Sequence, residues 1–159
     1  MDSYLTFKIA DEVFAVHVSH VMEIREYETP KPVPRKMDFV TGLIQFRDEV
    51  IPLIDTGQKF NLGAVQVEDS TVIIVLDLNK PDEDDSYRVG ILVDAVSDVL
   101  EIPSDQMKPI RHEYKPGYVA GTFNHKNAFV LVLDTDKVFT DEDVIEMDKL
   151  LSAAGESNK

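Results

Sequence analysis

The stretch from Gly42 to Phe60, GLIQFRDEVIPLIDTGQKF, decides the fold, because Arg47 and Asp48 alone separate its two apolar runs. Two strand-like runs joined by two residues predict a β-hairpin. Such turns favour positive φ angles, which Asp tolerates, so we expect Asp48 in that conformation and Arg47 projecting beside it. An arginine on a rigid turn can bind a carboxylate or a carbonyl of another protein. Exposed turn arginines are also common without a function, so this stretch alone favours the simpler interpretation.

A second stretch repeats the pattern. Residues Gly121 to Phe139, GTFNHKNAFVLVLDTDKVF, place a glycine and an aspartate at the same spacing, and the cationic turn pair is now Lys126-Asn127. Further upstream, Val18 to Ile24 matches Val96 to Ile102 at nearly the same offset. Two matches in nearly one register predict an internal duplication, and two copies are too few for a solenoid. The sequence therefore predicts a mainly β protein with two similar, packed β subdomains.

The expected organisation is a single domain over residues 1–159, with one subdomain at about 1–70 and the other at about 71–139. The run from Thr71 to Leu78, TVIIVLDL, is almost continuously apolar, which is typical of a strand covered on both faces. Thr140 precedes acidic residues and a helical spacing of apolar ones, so it should cap a C-terminal helix at about 141–154.

Composition excludes several classes of function. The chain has 16 Lys and Arg against 30 Asp and Glu, a formal net charge of −14, which repels phosphate backbones and anionic lipids. We therefore expect no nucleic-acid binding and no direct membrane insertion. Cysteine is absent, which excludes disulfides and thiolate metal sites. The N-terminus does not resemble a signal peptide and polar residues interrupt every apolar run, so we expect a soluble, cytoplasmic protein.

The sequence favours simpler interpretations over two possible metal sites and a catalytic site. His17, His20 and Glu23 have ligand chemistry, but they lie where a strand runs into a turn, which favours solvated histidines. The acidic run at 82–85 lacks the glycine and the final glutamate of a calcium loop, which favours a solvated turn. The sequence has no glycine-rich phosphate loop, nucleophile elbow or cysteine nucleophile. We expect no metal, no cofactor and no enzymatic activity.

Five segments in order resemble the CheW family of bacterial chemotaxis coupling proteins. They are YLTF at Tyr4–Phe7, VMEIREY at Val21–Tyr27, GLIQFRDEVIPLID at Gly42–Asp55, VGILVDAVSDVLEIP at Val89–Pro103 and LVLDTDKV at Leu131–Val138. The resemblance implies two five-stranded, SH3-like β-barrels with a hydrophobic groove between them. It also implies a non-catalytic scaffold that connects the cytoplasmic tip of methyl-accepting chemotaxis receptors to the regulatory domain of the histidine kinase CheA. Such a protein would be cytoplasmic and would associate with membrane receptor arrays through these partners.

An adaptor module of the same fold in a non-chemotaxis signalling pathway is the alternative.

The resemblance implies two sets of site residues. The receptor groove would contain Leu5, Val18, Val21 and Ile24. The signalling and kinase interface would contain Glu23, Gly42, Arg47 and Asp48, with Glu23 either pairing with Arg47 or lying on the same face.

The sequence departs from the family pattern at the hairpin. The usual glycine after the hairpin arginine is Asp48, and the usual Asn-Leu before it is Gln45-Phe46. An acidic residue beside Arg47 could mask its charge and so change the strength or the choice of kinase contact.

Overall fold

A computed structural model describes residues 2–33, 37–80, 85–110 and 117–157. These residues form mainly β-strands. The strands are β1 Asp2–Ile9, β2 Glu12–His17, β3 Val21–Glu26, β4 Val40–Phe46, β5 Glu49–Asp55, β6 Val72–Asn79, β7 Ser86–Val93, β8 Ala95–Ile102, β9 Val119–His125 and β10 Ala128–Leu133. The α-helices are α1 Thr56–Lys59 and α2 Asp141–Ser157, and short 3₁₀ turns lie at Val18–His20, Ser104–Gln106 and Thr135–Lys137.

The strands form two five-stranded sheets with the same topology. The N-terminal sheet has the order β8-β1-β2-β10-β9, and the central sheet has the order β3-β6-β7-β5-β4. Advancing each strand of the N-terminal sheet by five places, and counting past β10 back to β1, reproduces the order of the central sheet. Each sheet also contains one parallel pair, β2 with β10 and β5 with β7. The predicted fold class, two five-stranded β units from a duplication followed by a helix, is confirmed.

The sheets do not follow the expected division at residue 70. Strands β1 and β2 join β8, β9 and β10, whereas β6 and β7 join β3, β4 and β5. Each copy of the repeat therefore contributes its first hairpin to the sheet that holds the last three strands of the other copy. The boundaries 1–70 and 71–139 are wrong for the sheets, because a repeat in the sequence locates equivalent strands but does not tell which copy each strand pairs with.

Equivalent bridges bring together the edge strands of both sheets. In the central sheet, the chain that follows β3 returns to β4, where Lys31 and Leu43 exchange two backbone hydrogen bonds of 2.8 Å. In the N-terminal sheet, Lys108 and Thr122 exchange two bonds of the same length between the chain after β8 and β9. A sheet whose two edges are bridged in this way closes towards a barrel and has fewer unpaired edge groups.

Among the described residues, three clusters of apolar side chains make up the core. The largest draws residues from both sheets and from α2; we call it the shared core, and it includes Phe7, Phe14, Ile54, Ile74 and Val144. Each sheet has a smaller cluster of its own. On β6, Ile74 packs in the shared core while Ile73 and Val75 pack in the cluster of the central sheet, and all three side chains are fully buried. The prediction of a strand covered on both faces is confirmed.

Helix α2 begins at the predicted cap. The backbone N–H of Asp143 donates to Thr140 Oγ1 and that of Thr140 donates to Asp143 Oδ2, each at 3.0 Å. This reciprocal pair satisfies two N–H groups that the helix leaves free. Met147 and Leu150 are buried with Val144 in the shared core, and the helix continues to Ser157 rather than ending near residue 154.

Candidate functional site

The predicted hairpin forms between β4 and β5, and its turn differs from the expectation. Arg47 has a φ of 55°, whereas Asp48 is not among the described residues with positive φ. A positive φ at the first central residue alone is the pattern of a type II′ turn. In the second hairpin both Lys126 and Asn127 have positive φ, at 51° and 66°. The expectation that Asp48 takes the left-handed conformation is therefore wrong, since the preference of a residue type does not decide which turn the strands select.

Arg47 lies exposed at the tip of this hairpin. Its Cζ is 4.8 Å from the centroid of the Phe46 ring, within the range of a cation–π contact. Within the part of the chain that the structure describes, Arg47 forms no ion pair, and none joins it to Asp48. The Arg47 guanidinium thus packs on a buried aromatic ring, and no carboxylate of the described residues pairs with it.

Arg25, which the sequence reasoning did not select, is the most highly bonded residue of this surface. Its Nη2 lies 2.6 Å from Glu23 Oε2, and its Nε donates to the same oxygen at 2.8 Å. Its Nη1 lies 2.9 Å from Glu28 Oε1 and also donates to the backbone carbonyl of Gln45 at 2.9 Å. The hydrogen bond to Glu23 is the main cause that raises the pKa of the Arg25 guanidinium.

The expected pairing of Glu23 with Arg47 is not observed, because Glu23 bonds to Arg25 instead. The Cζ of Arg25 is 5.6 Å from the centroid of the same Phe46 ring that Arg47 covers. Glu23 and Arg47 are therefore connected through Arg25 and Phe46, as neighbours rather than as a pair. We call these four residues the arginine surface.

Alternation along β3, which places positions 23 and 25 on one face, was the signal that could have identified Arg25.

Gly42 and Asp48 contribute to this region in different ways. Gly42 is buried, and a Cβ atom built on it would lie 2.5 Å from the backbone oxygen of Lys31. It therefore permits the close approach of two chain segments and offers no side chain to a partner. Asp48 is exposed at the turn.

The predicted groove residues lie at the rim of the shared core. On β3, Val21 is opposite Leu76 and Ile24 is opposite Ile74, both of which belong to that core. Residues directly opposite in an antiparallel pair point to the same face. A register shift between positions 21 and 23 is what allows Val21 and Ile24 to share it.

Exposure differs among these groove residues. Ile24 is 45% exposed, Val18 is exposed and Val21 is half-buried against the shared core. Leu5 is only 4% exposed and belongs to the shared core, so its expected place as a contact residue is corrected. We call Val18, Val21 and Ile24 the apolar patch.

The two histidines near this patch bond to protein groups. His17 Nδ1 lies 2.8 Å from Ser19 Oγ, and His20 Nδ1 lies 3.0 Å from the backbone oxygen of Asp77. Among the described residues, no three His, Asp or Glu side chains are arranged to hold a metal ion. Residues 82–84 of the acidic run lie outside the described residues. No helix in the described ranges is long and apolar enough to cross a bilayer.

Comparison with known proteins gives consistent results. The family described as CheW-like domain matches residues 3–143. The chain is 27% identical over 150 residues to the chemotaxis protein CheW of Klebsiella aerogenes, covering 92% of this chain and 87% of that protein. It is 28% identical over 142 residues to the chemotaxis protein CheW of Rhizobium meliloti, covering 87% and 88%.

One solved structure shares the fold. The scaffolding protein TtCheW from Thermoanaerobacter tengcongensis superposes with a TM-score of 0.78, covering 91% of this chain and 92% of that one. The sequence identity of this pair is 20%, so this similarity establishes the fold alone.

Proposed function

We propose, from the premise that the chain belongs to the CheW-like domain family, that it is a non-catalytic scaffold for chemotaxis signal transduction. It would couple the cytoplasmic tip of methyl-accepting chemotaxis receptors to the regulatory domain of the histidine kinase CheA. The observation that carries this proposal is the presence of two exposed surfaces of different chemistry, the apolar patch and the arginine surface. A coupling protein needs one surface for each partner.

The apolar patch suits a receptor helix. Ile24 and Val18 are exposed at the rim of the shared core, and an amphipathic helix can place its own apolar face against such side chains. Val18 lies in the 3₁₀ turn that links β2 of one sheet to β3 of the other, which supports a groove between the sheets at this position. We infer that Val21 takes part through its exposed edge only.

The arginine surface suits an acidic or carbonyl-rich surface of the kinase. Arg47 has a fork of donors, is exposed and is fixed against Phe46, so it has little freedom to lose on binding. Binding two protein partners at once would place the chain in the cytoplasm beside receptor arrays.

The test is reconstitution of receptor-dependent kinase activity. The purified chain is added to CheA and to membranes that contain a chemoreceptor, and autophosphorylation of the kinase is measured. We expect strong activation by the parent chain. The Ile24→Asp variant would place an unpaired carboxylate against an apolar helix, which should cost several kcal/mol. A micromolar receptor contact is worth about 8 kcal/mol, so we expect receptor binding to weaken at least tenfold.

Ile145→Asp is the matched control. Ile145 on α2 is 54% exposed, so the same substitution introduces the same charge at similar exposure away from the patch. It should bind and activate like the parent, and both variants should melt within a few degrees of it. Failure of the parent to bind either partner would disprove the coupling function, and equal loss in both variants would show that the patch is not specific.

A further inference from the structure

Arg25 spans the seam of the central sheet, by which we mean the gap between its edge strands β3 and β4. The residue lies on β3, and its Nη1 donates to the backbone carbonyl of Gln45 on β4 at 2.9 Å. Its guanidinium carbon lies 5.6 Å from the ring centroid of Phe46, the next residue on β4. The side chain thus joins two strands that are not neighbours in the sheet order.

All three guanidinium nitrogens of Arg25 are used, and they occupy two carboxylates. Nε and Nη2 bind one oxygen of Glu23, and Nη1 binds Glu28 as well as Gln45. Only 24% of the side chain is exposed, so these charge-assisted bonds are less screened than at an open surface. One oxygen of each carboxylate is therefore bound to Arg25, and the charge of both acids is partly balanced by its guanidinium.

Arg47 is a second cation beside the Phe46 ring. The two guanidinium groups lie at 5.6 Å and 4.8 Å from the centroid of one ring, that of Phe46. Without Arg25, the hairpin would lose the hydrogen bond to Gln45 and the ring contact with Phe46 that come from β3, and Glu23 and Glu28 would lose the cation that binds them. A carboxylate that pairs with Arg47 inside the chain would compete with one offered by a partner.

We propose that Arg25 is a positioning residue for signalling: it retains Glu23 and Glu28 and fixes the hairpin through Gln45 and Phe46, so that Arg47 remains free to bind an acidic group of the kinase. This inference rests on the proposed function. The second copy of the repeat supports it by contrast, because Pro103 stands at the position that corresponds to Arg25. At this position the N-terminal sheet therefore has no arginine.

A double-mutant cycle tests the proposal. The affinity of the full chain for the regulatory domain of a CheA kinase is measured by calorimetry for Arg25→Gln, Arg47→Gln and the double variant. Each single change should weaken binding about tenfold, and the double variant should bind about as weakly as Arg47→Gln alone, because Arg25 acts through Arg47. Multiplied losses in the double variant, or an Arg25→Gln variant within twofold of the parent, would overturn it. Receptor-tip binding should stay unchanged in all three.

A measurement without a partner separates this proposal from the coupling function. The Nε–Hε resonance of Arg47 is followed by NMR in the parent, in Arg25→Gln and in Arg25→Lys. We expect a change of the Arg47 signal in both variants, since a lysine keeps the charge but lacks the fork. An unchanged signal would contradict the positioning role even if kinase binding is confirmed. A changed signal in a chain that binds no kinase domain would support the geometry and disprove the coupling function alone.

Discussion

The two sheets have similar backbone bridges at their seams, the gaps between their edge strands, but different side chains there. Each is bridged by a pair of 2.8 Å backbone hydrogen bonds between the chain after one edge strand and the other edge strand. At the seam of the central sheet the side chains are Arg25, Phe46 and Arg47, and the corresponding positions of the N-terminal sheet are Pro103, His125 and Lys126. The backbone bridges are alike in both copies, whereas the two arginines beside an aromatic ring occur at these positions in one copy only.

The aromatic position shows this difference most clearly. Phe46 is buried in the cluster of the central sheet and supports two arginines. His125 is only half-buried and stacks on Phe123, with ring centroids 6.2 Å apart. Phe46 thus joins the core to the two arginines, and its counterpart His125 lies outside the core.

The largest expected effect is therefore at Phe46. Phe46→Ala should lower the free energy of unfolding by about 3–5 kcal/mol, because it leaves a cavity in the core. His125→Ala should lower it by less than about 1 kcal/mol, since it removes a partly exposed ring. Urea unfolding measures both values. Similar losses would mean that the two seams are equally part of the core.

The two hairpin glycines give the second comparison. A Cβ at Gly42 would meet Lys31 O at 2.5 Å and Pro30 Cβ at 2.9 Å, whereas one at Gly121 would meet Lys108 O at 2.8 Å and the Met107 side chain at 3.0 Å. Met107 is flexible and can yield. Both Gly→Ala changes should destabilise the chain within about 1–3 kcal/mol, with the larger loss at Gly42. The reverse order, measured by thermal unfolding, would contradict the geometry of the bridges.

The third comparison is between one tyrosine from each sheet, and it concerns the stability of the chain at alkaline pH. Burial is the main cause that raises the pKa of Tyr87 on β7 and of Tyr4 on β1, and the shift is the larger at Tyr87. The unfolded chain ionises its tyrosines near pH 10, so the stability these neutral phenols contribute is fully present below that pH and is lost as pH rises above it. Each pH unit should cost up to about 1.4 kcal/mol at Tyr87. The free energy of unfolding should therefore fall less steeply with rising pH in Tyr87→Phe than in Tyr4→Phe. Unfolding curves measured between pH 9 and 11 test this prediction.

Much of this architecture follows from the sequence alone. The repeat around Gly42 and Gly121, the apolar run that became β6 and the cap at Thr140 each depend on short-range patterns, and the structure confirms them. The exchange of the first hairpins between copies depends on long-range strand pairing. Because the two copies have similar sequence patterns, the sequence does not show with which copy each hairpin pairs. The boundary at residue 70 was wrong for that reason.

The candidate site was less accessible to sequence reasoning. The resemblance pointed to Glu23 and Arg47, but the bonds of Glu23 go to Arg25, and an ion pair depends on side-chain directions that spacing does not fix. Leu5 was expected in the groove and is in the core, since an alternating strand does not tell which of its apolar residues lies beyond the rim. Contact by Arg47 and by the apolar patch with partners remains a proposal.

The smallest expected effect concerns the turn itself. Because the structure shows no ion pair between Arg47 and Asp48 and no positive φ at Asp48, Asp48→Gly removes neither a mask nor a strained residue. It should change the free energy of unfolding by less than about 0.5 kcal/mol and the affinity for the kinase regulatory domain by less than twofold. A gain of fivefold or more would show that the carboxylate does mask the arginine.

The most direct measurement compares the two hairpin tips. Arg47→Glu and Lys126→Glu each reverse one exposed turn cation at corresponding positions of the repeat, and neither should lower the melting temperature by more than a few degrees. Calorimetric titration with the CheA regulatory domain should show at least a tenfold loss of affinity for Arg47→Glu and a change within twofold for Lys126→Glu. Parent-like binding by Arg47→Glu, or equal losses in both variants, would contradict the claim that recognition is confined to the hairpin of the central sheet.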